Sequence, residues 1–328
     1  MHFCTILTKE FLLQGIALYR SLERFPTPFT LWILCGDGES LLVLRKADLP
    51  GVMLLTVAYI EAHYPELPRA KSGRTPYEYI ATLKPYLVRF LLETQTDMDA
   101  VFSLDGDLWF FSDPAALWEE LGGASILLSP HRFSPHLAKL QVHGMYNGGF
   151  VAFRNDGNGR AAAVWWSDAV REWCGDRVEG GKRSNQKYLE ELPKRFAGVK
   201  AATHPGFNTA PWNLDAHVFA WEGGRVLVSR KPIVFHHFHH LRFLRPWLLD
   251  PSLALHRTRA NCVLKRRVYA PYVRELLAAQ KWLRRECGFD AALGSVRYEE
   301  ERKGLDLLLT LSRVRRRQWF IVLAGRMP

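Results

Sequence analysis

The chain has 328 residues, 48% hydrophobic and 12% aromatic, which supplies a sizeable core and excludes a natively disordered protein. Its net charge of +11 is placed unevenly: 17 Lys and Arg against 7 Asp and Glu follow Asp250, and the rest is near neutral. Without an RNA- or DNA-binding motif, a basic tail alone implies no nucleic-acid partner.

The five cysteines (Cys4, Cys35, Cys174, Cys262 and Cys287) are odd in number and show no C-x-x-C spacing. That pattern implies a reducing compartment and gives no sign of structural zinc. Met1 leads straight into a strand-like run, so no secretory leader is expected. No apolar run approaches the roughly 20 residues of a spanning helix. A cytoplasmic protein is expected, peripheral at the inner face of the membrane if its basic end meets lipid.

His2 to Thr8 reads as a strand, followed by a helix with Leu12, Ile16, Tyr19 and Leu22 on one face. Pro26 and Pro28 stop that helix. Phe29 to Leu34 is a second strand closed by the Cys35–Gly38 turn, a short helix covers Leu41 to Lys46, and a third strand covers Val52 to Val57. This β-α-β-α-β order predicts a parallel sheet with crossover helices and a ligand site at the strands' carboxyl ends. Glu61 to Tyr77, with three prolines, reads as irregular. A helix from Tyr77 to Glu93 carries Lys84 and Arg89, one side of which is expected to face the site.

Val101 to Leu104 then forms an apolar strand that stops at Asp105-Gly106-Asp107. Two aspartates two apart at a strand end can converge on one hard cation, Mg²⁺ or Mn²⁺, which completes its shell on phosphate oxygens. The glycine allows a sharp turn and a close approach. A plain surface turn is the competing explanation. Ser112-Asp113-Pro114 reads as the cap of a helix with Pro114 at its first position, and Ser125 to Leu128 as a strand.

Tyr146-Asn147-Gly148-Gly149 precedes an apolar strand, Phe150 to Phe153, and the glycines suit either a backbone approach to a ligand or a hairpin turn. Trp165, Trp166, Val170 and Trp173 have the spacing of a core helix. Asn185-Gln186 opens a short helix. Pro205 to Leu214 is an irregular loop whose Trp212 either holds a sugar ring or packs structurally. In the run His236-His237-Phe238-His239-His240, an extended chain puts His237 and His239 on one face, where imidazole suits Mn²⁺ beside two carboxylates.

Taken in order, these pieces resemble the GT-A fold glycosyltransferases. Within them the likeness is to the nucleotide-diphospho-sugar transferases related to glycogenin and the bacterial lipopolysaccharide galactosyltransferases. The likeness spans most of residues 1 to 247. It rests on Phe3-Cys4-Thr5-Ile6-Leu7, Leu18-Tyr19-Arg20-Ser21-Leu22, Leu104-Asp105-Gly106-Asp107, Asn147-Gly148-Gly149-Phe150, Asn185-Gln186-Lys187-Tyr188-Leu189, and His237-Phe238 followed by Arg245-Pro246-Trp247.

The resemblance implies an α/β GT-A (Rossmann-like) fold, with a mixed, mainly parallel central sheet flanked by helices. A transferase domain would cover 1–250, and a basic helical extension 251–328. It implies that Asp105 contacts ribose and metal, that Asp107 binds metal directly, and that His237, with His239 as the alternative, completes the protein ligands. Asn147, with Gly148 and Gly149, would hold the donor sugar, and Gln186 would sit near the anomeric carbon. Thr5 through Phe11 would line the base and ribose pocket, and Lys84 would approach the donor.

Two departures stand out. Asn185 occupies a position where the family usually has Asp, which removes a carboxylate from the catalytic set of Asn185, Gln186 and Asp107. Phe11 stands where relatives often have Tyr. The implied activity is metal-dependent transfer, with retention, from a UDP-linked sugar to a glycan or lipid-linked acceptor in surface polysaccharide or lipopolysaccharide synthesis.

The alternative is a catalytically impaired GT-A protein that binds sugar nucleotide or glycan, with Asn185 as the trace of lost catalysis. A haloacid-dehalogenase-type phosphatase is disfavoured because Trp109, not a small Thr or Val, stands two residues after Asp107. Tyr269 to Cys287 and Leu305 to Phe320 read as basic amphipathic segments, which either meet an anionic membrane surface or pack on the core.

Overall fold

The structure is a computed structural model that describes residues 1–291 and 307–323. Strands β1 (His2–Leu7), β2 (Thr30–Cys35) and β3 (Val52–Thr56) alternate with helices α1 (Leu12–Glu23) and α2 (Gly38–Ala47). β1 pairs in parallel with β2, and β2 with β3, as the β-α-β-α-β order requires.

The stretch expected to be irregular contains two short helices, α3 (Val57–His63) and α4 (Leu67–Lys71). Leu67 is fully buried and Pro68 sits in the first turn of α4, where a missing N–H costs nothing. Prolines that looked like breakers here act as starters. Helix α5 (Pro76–Thr94) opens on a reciprocal cap: the Glu78 N–H donates to Thr75 Oγ1 at 3.2 Å, and the Thr75 N–H to Glu78 Oε2 at 2.9 Å.

Strands β4 (Ala100–Leu104) and β5 (Leu108–Phe110) flank the Asp-Gly-Asp loop, and helix α6 (Ala115–Leu121) follows. α6 begins one residue later than the sequence suggested, because Asp113 accepts the Ala115 N–H at 2.9 Å while Ser112 donates to the Ile233 carbonyl. Strands β6 (Ile126–Pro130) and β7 (Tyr146–Arg154), helices α7 (Gly157–Glu172) and α8 (Leu192–Arg195), and strand β8 (Val199–Ala201) complete a seven-stranded sheet of order β3-β2-β1-β4-β7-β6-β8. β7 is antiparallel to both neighbours, whereas β1, β2, β3 and β4 run parallel.

Alternate strand residues feed the two layers: Phe3, Phe102 and Ala152 enter one core cluster, and Cys4, Val101 and Val151 the other. The second layer holds α5 and α7 with Trp166 fully buried; Trp165 is half-buried. Arg89 turns away from the strand ends, pairing with Glu93 at 2.7 Å and Asp168 at 3.6 Å. All five cysteines are free thiols.

Beyond the sheet lie β9 (Phe219–Glu222), β10 (Arg225–Val228), β11 (Lys231–Pro232) and β12 (Phe235–His237), the last pairing antiparallel with β5. β13 (Arg242–Arg245), β14 (Leu248–Asp250), α9 (Ala270–Trp282), α10 (Leu307–Arg315) and β15 (Phe320–Ile321) follow. The apolar face of α9 is already taken. Tyr272 stacks on Phe238 with ring centroids 3.7 Å apart, Val273 and Leu276 are buried in the same core as α1, and Arg20 pairs with Glu275 at 3.0 Å. Among the described residues no helix is long and apolar enough to cross a membrane.

Candidate metal and donor site

The Asp-Gly-Asp loop is pinned on two sides. The Asp105 N–H donates to the Gly149 carbonyl at 2.8 Å, and the Phe238 N–H donates to the Asp107 carbonyl at 3.0 Å. Gly106 has no left-handed φ; a Cβ there would lie 2.7 Å from Leu7 Cδ2. Close approach of the Leu7 side chain, rather than a sharp turn, favours the glycine.

Pairing with β5 sets His237 opposite Leu108, and strand alternation then separates the histidines. His236 and Phe238 go to the core: His236 is fully buried, with Nδ1 2.9 Å from Thr209 Oγ1. His237 goes to the carboxylates, its Nε2 3.1 Å from Asp107 Oδ1 and 3.8 Å from Asp105 Oδ2. Ligand atoms of Asp107, His237 and His239 all lie within 4.8 Å of one another. Both candidate histidines therefore reach one point with Asp107.

Asp105 stands at the edge of this group, ion-paired with Lys84. Lys84 is nearly buried and also donates to the Gly148 carbonyl at 2.8 Å. It thus ties α5 to the loop and to β7 at once.

Burial alone would raise the Asp107 carboxyl, but His237 and His239 hold it well below the usual carboxylate range. For His237, burial pulls the imidazole down, and Asp107, with Asp105 behind it, more than reverses this and raises it. Burial, with His240 and His237 alongside, keeps His239 well below 6.5, hence neutral. Beyond the 3.1 Å approach of Nε2 to Asp107, neither ring nitrogen of the buried His237 has a hydrogen-bond partner among the described residues. A buried, unsatisfied imidazole facing an ionised carboxylate and a neutral histidine is a donor set that fits a divalent cation such as Mn²⁺.

Asn147, Gly148 and Gly149 lie inside β7, not ahead of it, beside a bulge between Leu128 and Ser129. A Cβ on Gly149 would sit 2.6 Å from His237 Cε1, so this glycine makes room for the histidine rather than for a hairpin turn. The Asn147 side chain is held from several directions: its Oδ1 accepts from the Gly149 N–H at 3.0 Å and from Asn208 Nδ2 at 3.1 Å, while its Nδ2 lies 3.2 Å from Gln186 Oε1 and 3.3 Å from His131 Nε2. Gln186 also accepts the Gly148 N–H at 2.9 Å and donates to the His143 carbonyl at 3.0 Å.

Asn185 is buried, donating to the Ala81 carbonyl at 2.7 Å and accepting the Trp166 indole N–H on its own carbonyl at 2.9 Å. Thr5 is buried with an unpartnered hydroxyl, and Phe11 is 44% exposed beyond the end of β1. These two share the β1 end of the sheet with the loop, because Leu7 touches Gly106.

Trp212 is buried, its indole N–H donating to the His131 carbonyl at 3.0 Å. Its ring meets His237 and His239 edge-on, at 5.2 and 5.3 Å. It is a wall behind the histidines, not an open sugar platform. His131, Asn208 and Asn213 were not foreseen. Asn213 donates to the His131 and Asn208 carbonyls, and Asn208, fully buried, takes φ +55. The irregularity of Pro205–Leu214 was the one signal of such a packed polar loop.

No protein-family model matches the chain. It is 32% identical over 282 residues to the uncharacterized protein YfnF of Bacillus subtilis strain 168, covering 84% of this chain and 89% of that protein. It belongs to the YfnF family. YfnD of the same organism is likewise 32% identical, over 240 residues, covering 72% of this chain and 76% of that protein. Among solved structures, an active-site mutant of LgtC superposes with a TM-score of 0.50 at 14% identity, over 74% of this chain and 89% of that one. The galactosyltransferase LgtC in complex with donor and acceptor sugar analogs gives 0.49 at 18% identity, over 75% and 89%. This YfnF-family chain therefore has the GT-A fold, with the mixed, mainly parallel sheet that its sequence led us to expect.

Proposed function

We propose that this protein is a metal-dependent glycosyltransferase that moves a sugar from a nucleotide-diphospho-sugar, UDP-linked, to a glycan or lipid-linked acceptor. The observation that carries this reading is the convergence of Asp107, His237 and His239 at the loop following β4, on a sheet of the GT-A kind. When bound there, Mn²⁺ or Mg²⁺ supplies a Lewis acid for the charge that develops on a departing diphosphate.

The chain's own residues would do the rest. Asp107, His237 and His239 hold the cation, and Lys84 fixes Asp105 for the ribose side of the donor. Asn147 and Gln186, locked to each other and to the β7 backbone, set a polar wall beside the sugar. Thr5 and Phe11 are placed for the ribose and base. With Asn185 turned to the Ala81 carbonyl, no carboxylate comes from that position, which favours retention with the leaving phosphate accepting the acceptor's proton. Residues 1–250 would carry the transfer, and 251–328 the basic extension. Surface-polysaccharide or lipopolysaccharide synthesis is the setting we infer.

Incubation with a panel of UDP- and GDP-sugars and Mn²⁺, followed by NMR of the released sugar, tests this. Slow hydrolysis of one donor to the retained anomer is expected; no turnover of any donor, with or without added glycan acceptors, would overturn transferase activity. An impaired, binding-only protein would instead hold one donor without turning it over.

A further inference from the structure

Two depressions open side by side among residues 259–265 and 314–321. One, of about 320 Å³, is lined by Arg259, Asn261, Arg315, Arg316 and Arg317. The other, of about 270 Å³, is lined by Val314, Trp319, Phe320 and Ile321, with Lys265 and Arg317 at its edge. Arg317 belongs to both. Among the described residues no carboxylate lines either one, and Arg259, Arg315 and Arg316 make no ion pair.

These arginines are not there to finish helix α10. The Gln318 N–H donates to the Arg313 carbonyl at 2.9 Å and the Arg317 N–H to the Val314 carbonyl at 2.9 Å, so the backbone closes its own C-terminus in the pattern that normally ends on glycine. The residue at that glycine position is Arg317, at φ +55. A side chain held in the left-handed region where glycine is easier suggests that the side chain itself is needed. Nearby, Asn261 Oδ1 accepts the Leu264 N–H at 2.8 Å, leaving its amide nitrogen free to donate. In the apolar depression, buried Trp319 has an indole N–H without a partner among the described residues.

We propose that this pair of depressions is a binding site for the phosphate of an amphiphilic phosphate ester. Guanidinium groups match phosphate oxygens in two-pronged geometry, and the adjoining apolar slot takes the first carbons of the chain. A simple anion would use only the arginine depression. A neutral lipid would use only the slot. The site shares no residue with the metal and donor site, so it stands or falls apart from the transferase reading.

The test is binding to the full-length protein, followed by Trp fluorescence and calorimetry, of three probes: inorganic phosphate, farnesyl monophosphate and farnesol. Farnesyl monophosphate is expected to bind at least tenfold more tightly than either of the others. The variants Arg315→Gln/Arg316→Gln and, on a separate segment, Arg259→Gln are each expected to weaken it at least fivefold while leaving Mn²⁺ binding unchanged. Inorganic phosphate binding as tightly as the ester would overturn the role of the slot. Absence of binding, or unchanged affinity in both variants, would overturn the site.

Discussion

The Asn185 amide donates at 2.7 Å to the carbonyl of Ala81, four residues before Pro85 inside α5. Proline has no N–H, so the carbonyl four residues back loses its helical donor. Asn185 supplies the missing one. An aspartate there would face oxygen with oxygen, which gives a structural reason for amide rather than carboxylate at this position. The same helix also carries Lys84, next to Pro85, into its contacts with Asp105 and Gly148.

This relationship is testable by a double-mutant cycle. Asn185→Ala is expected to cost about 1–3 kcal/mol in urea unfolding, the usual penalty of a buried group left unpaired. Asn185→Asp should cost at least as much and add no activity. Pro85→Ala restores an N–H for Ala81, so Asn185→Ala should cost less in that background. Equal costs in both backgrounds would show the two residues to be uncoupled.

Gly149 and Gly157 offer a matched pair. Gly149→Ala places a Cβ 2.6 Å from the His237 ring, whereas a Cβ on Gly157 meets nothing within 4 Å. Gly149→Ala should therefore weaken Mn²⁺ binding at least tenfold, and Gly157→Ala should leave it unchanged and shift stability by no more than about 0.5 kcal/mol. Calorimetric titration with Mn²⁺ decides it.

The alternating histidines should separate in function. His239→Ala is expected to lose Mn²⁺ affinity with little change in stability. His236→Ala should destabilise by about 2 kcal/mol or more, since it opens a buried space and leaves the Thr209 hydroxyl only its longer bond to the Phe235 carbonyl. A loss of metal binding in His236→Ala with His239→Ala unaffected would reverse the assignment.

Acid should unfold this protein early. Burial pulls His131 and His236 down to about 3 and His256 to about 4. Each has a folded pKa below its unfolded value near 6.5, so the unfolded chain binds more protons between those limits. Stability is therefore full above about pH 6.5 and falls as pH drops, by about 1.4 kcal/mol per pH unit for each histidine. Denaturant midpoints measured from pH 7 down to pH 4.5 should decline steeply; a flat profile would mean that these rings are hydrated.

Much of the fold was legible because its signals are local. The β1–α1–β2 run, the Asp-Gly-Asp stop and the spacing of His237 and His239 each follow from apolar periodicity or strand alternation, and all appear where expected. What was not legible depends on long-range contact. Nothing near Gly106 announces Leu7, nothing near Asn185 announces Ala81, and the burial of Asn208 and His131 arises only when the Pro205–Leu214 loop folds over β6 and β7. The prolines at 68 and 76 misled in the opposite sense, since position within the first helical turn, not composition, decides whether proline starts or stops a helix. Of the two readings of Tyr269 to Cys287, packing on the core is the one seen in α9, whose apolar side covers α1.

Calorimetry of UDP-sugar binding with and without Mn²⁺, on the native protein and on Asp107→Ala, bears most directly on metal-dependent transfer. Binding of one UDP-sugar that requires Mn²⁺ and falls at least tenfold in Asp107→Ala is the predicted result. Binding that ignores the metal, or survives the substitution, would contradict the site at Asp107, His237 and His239.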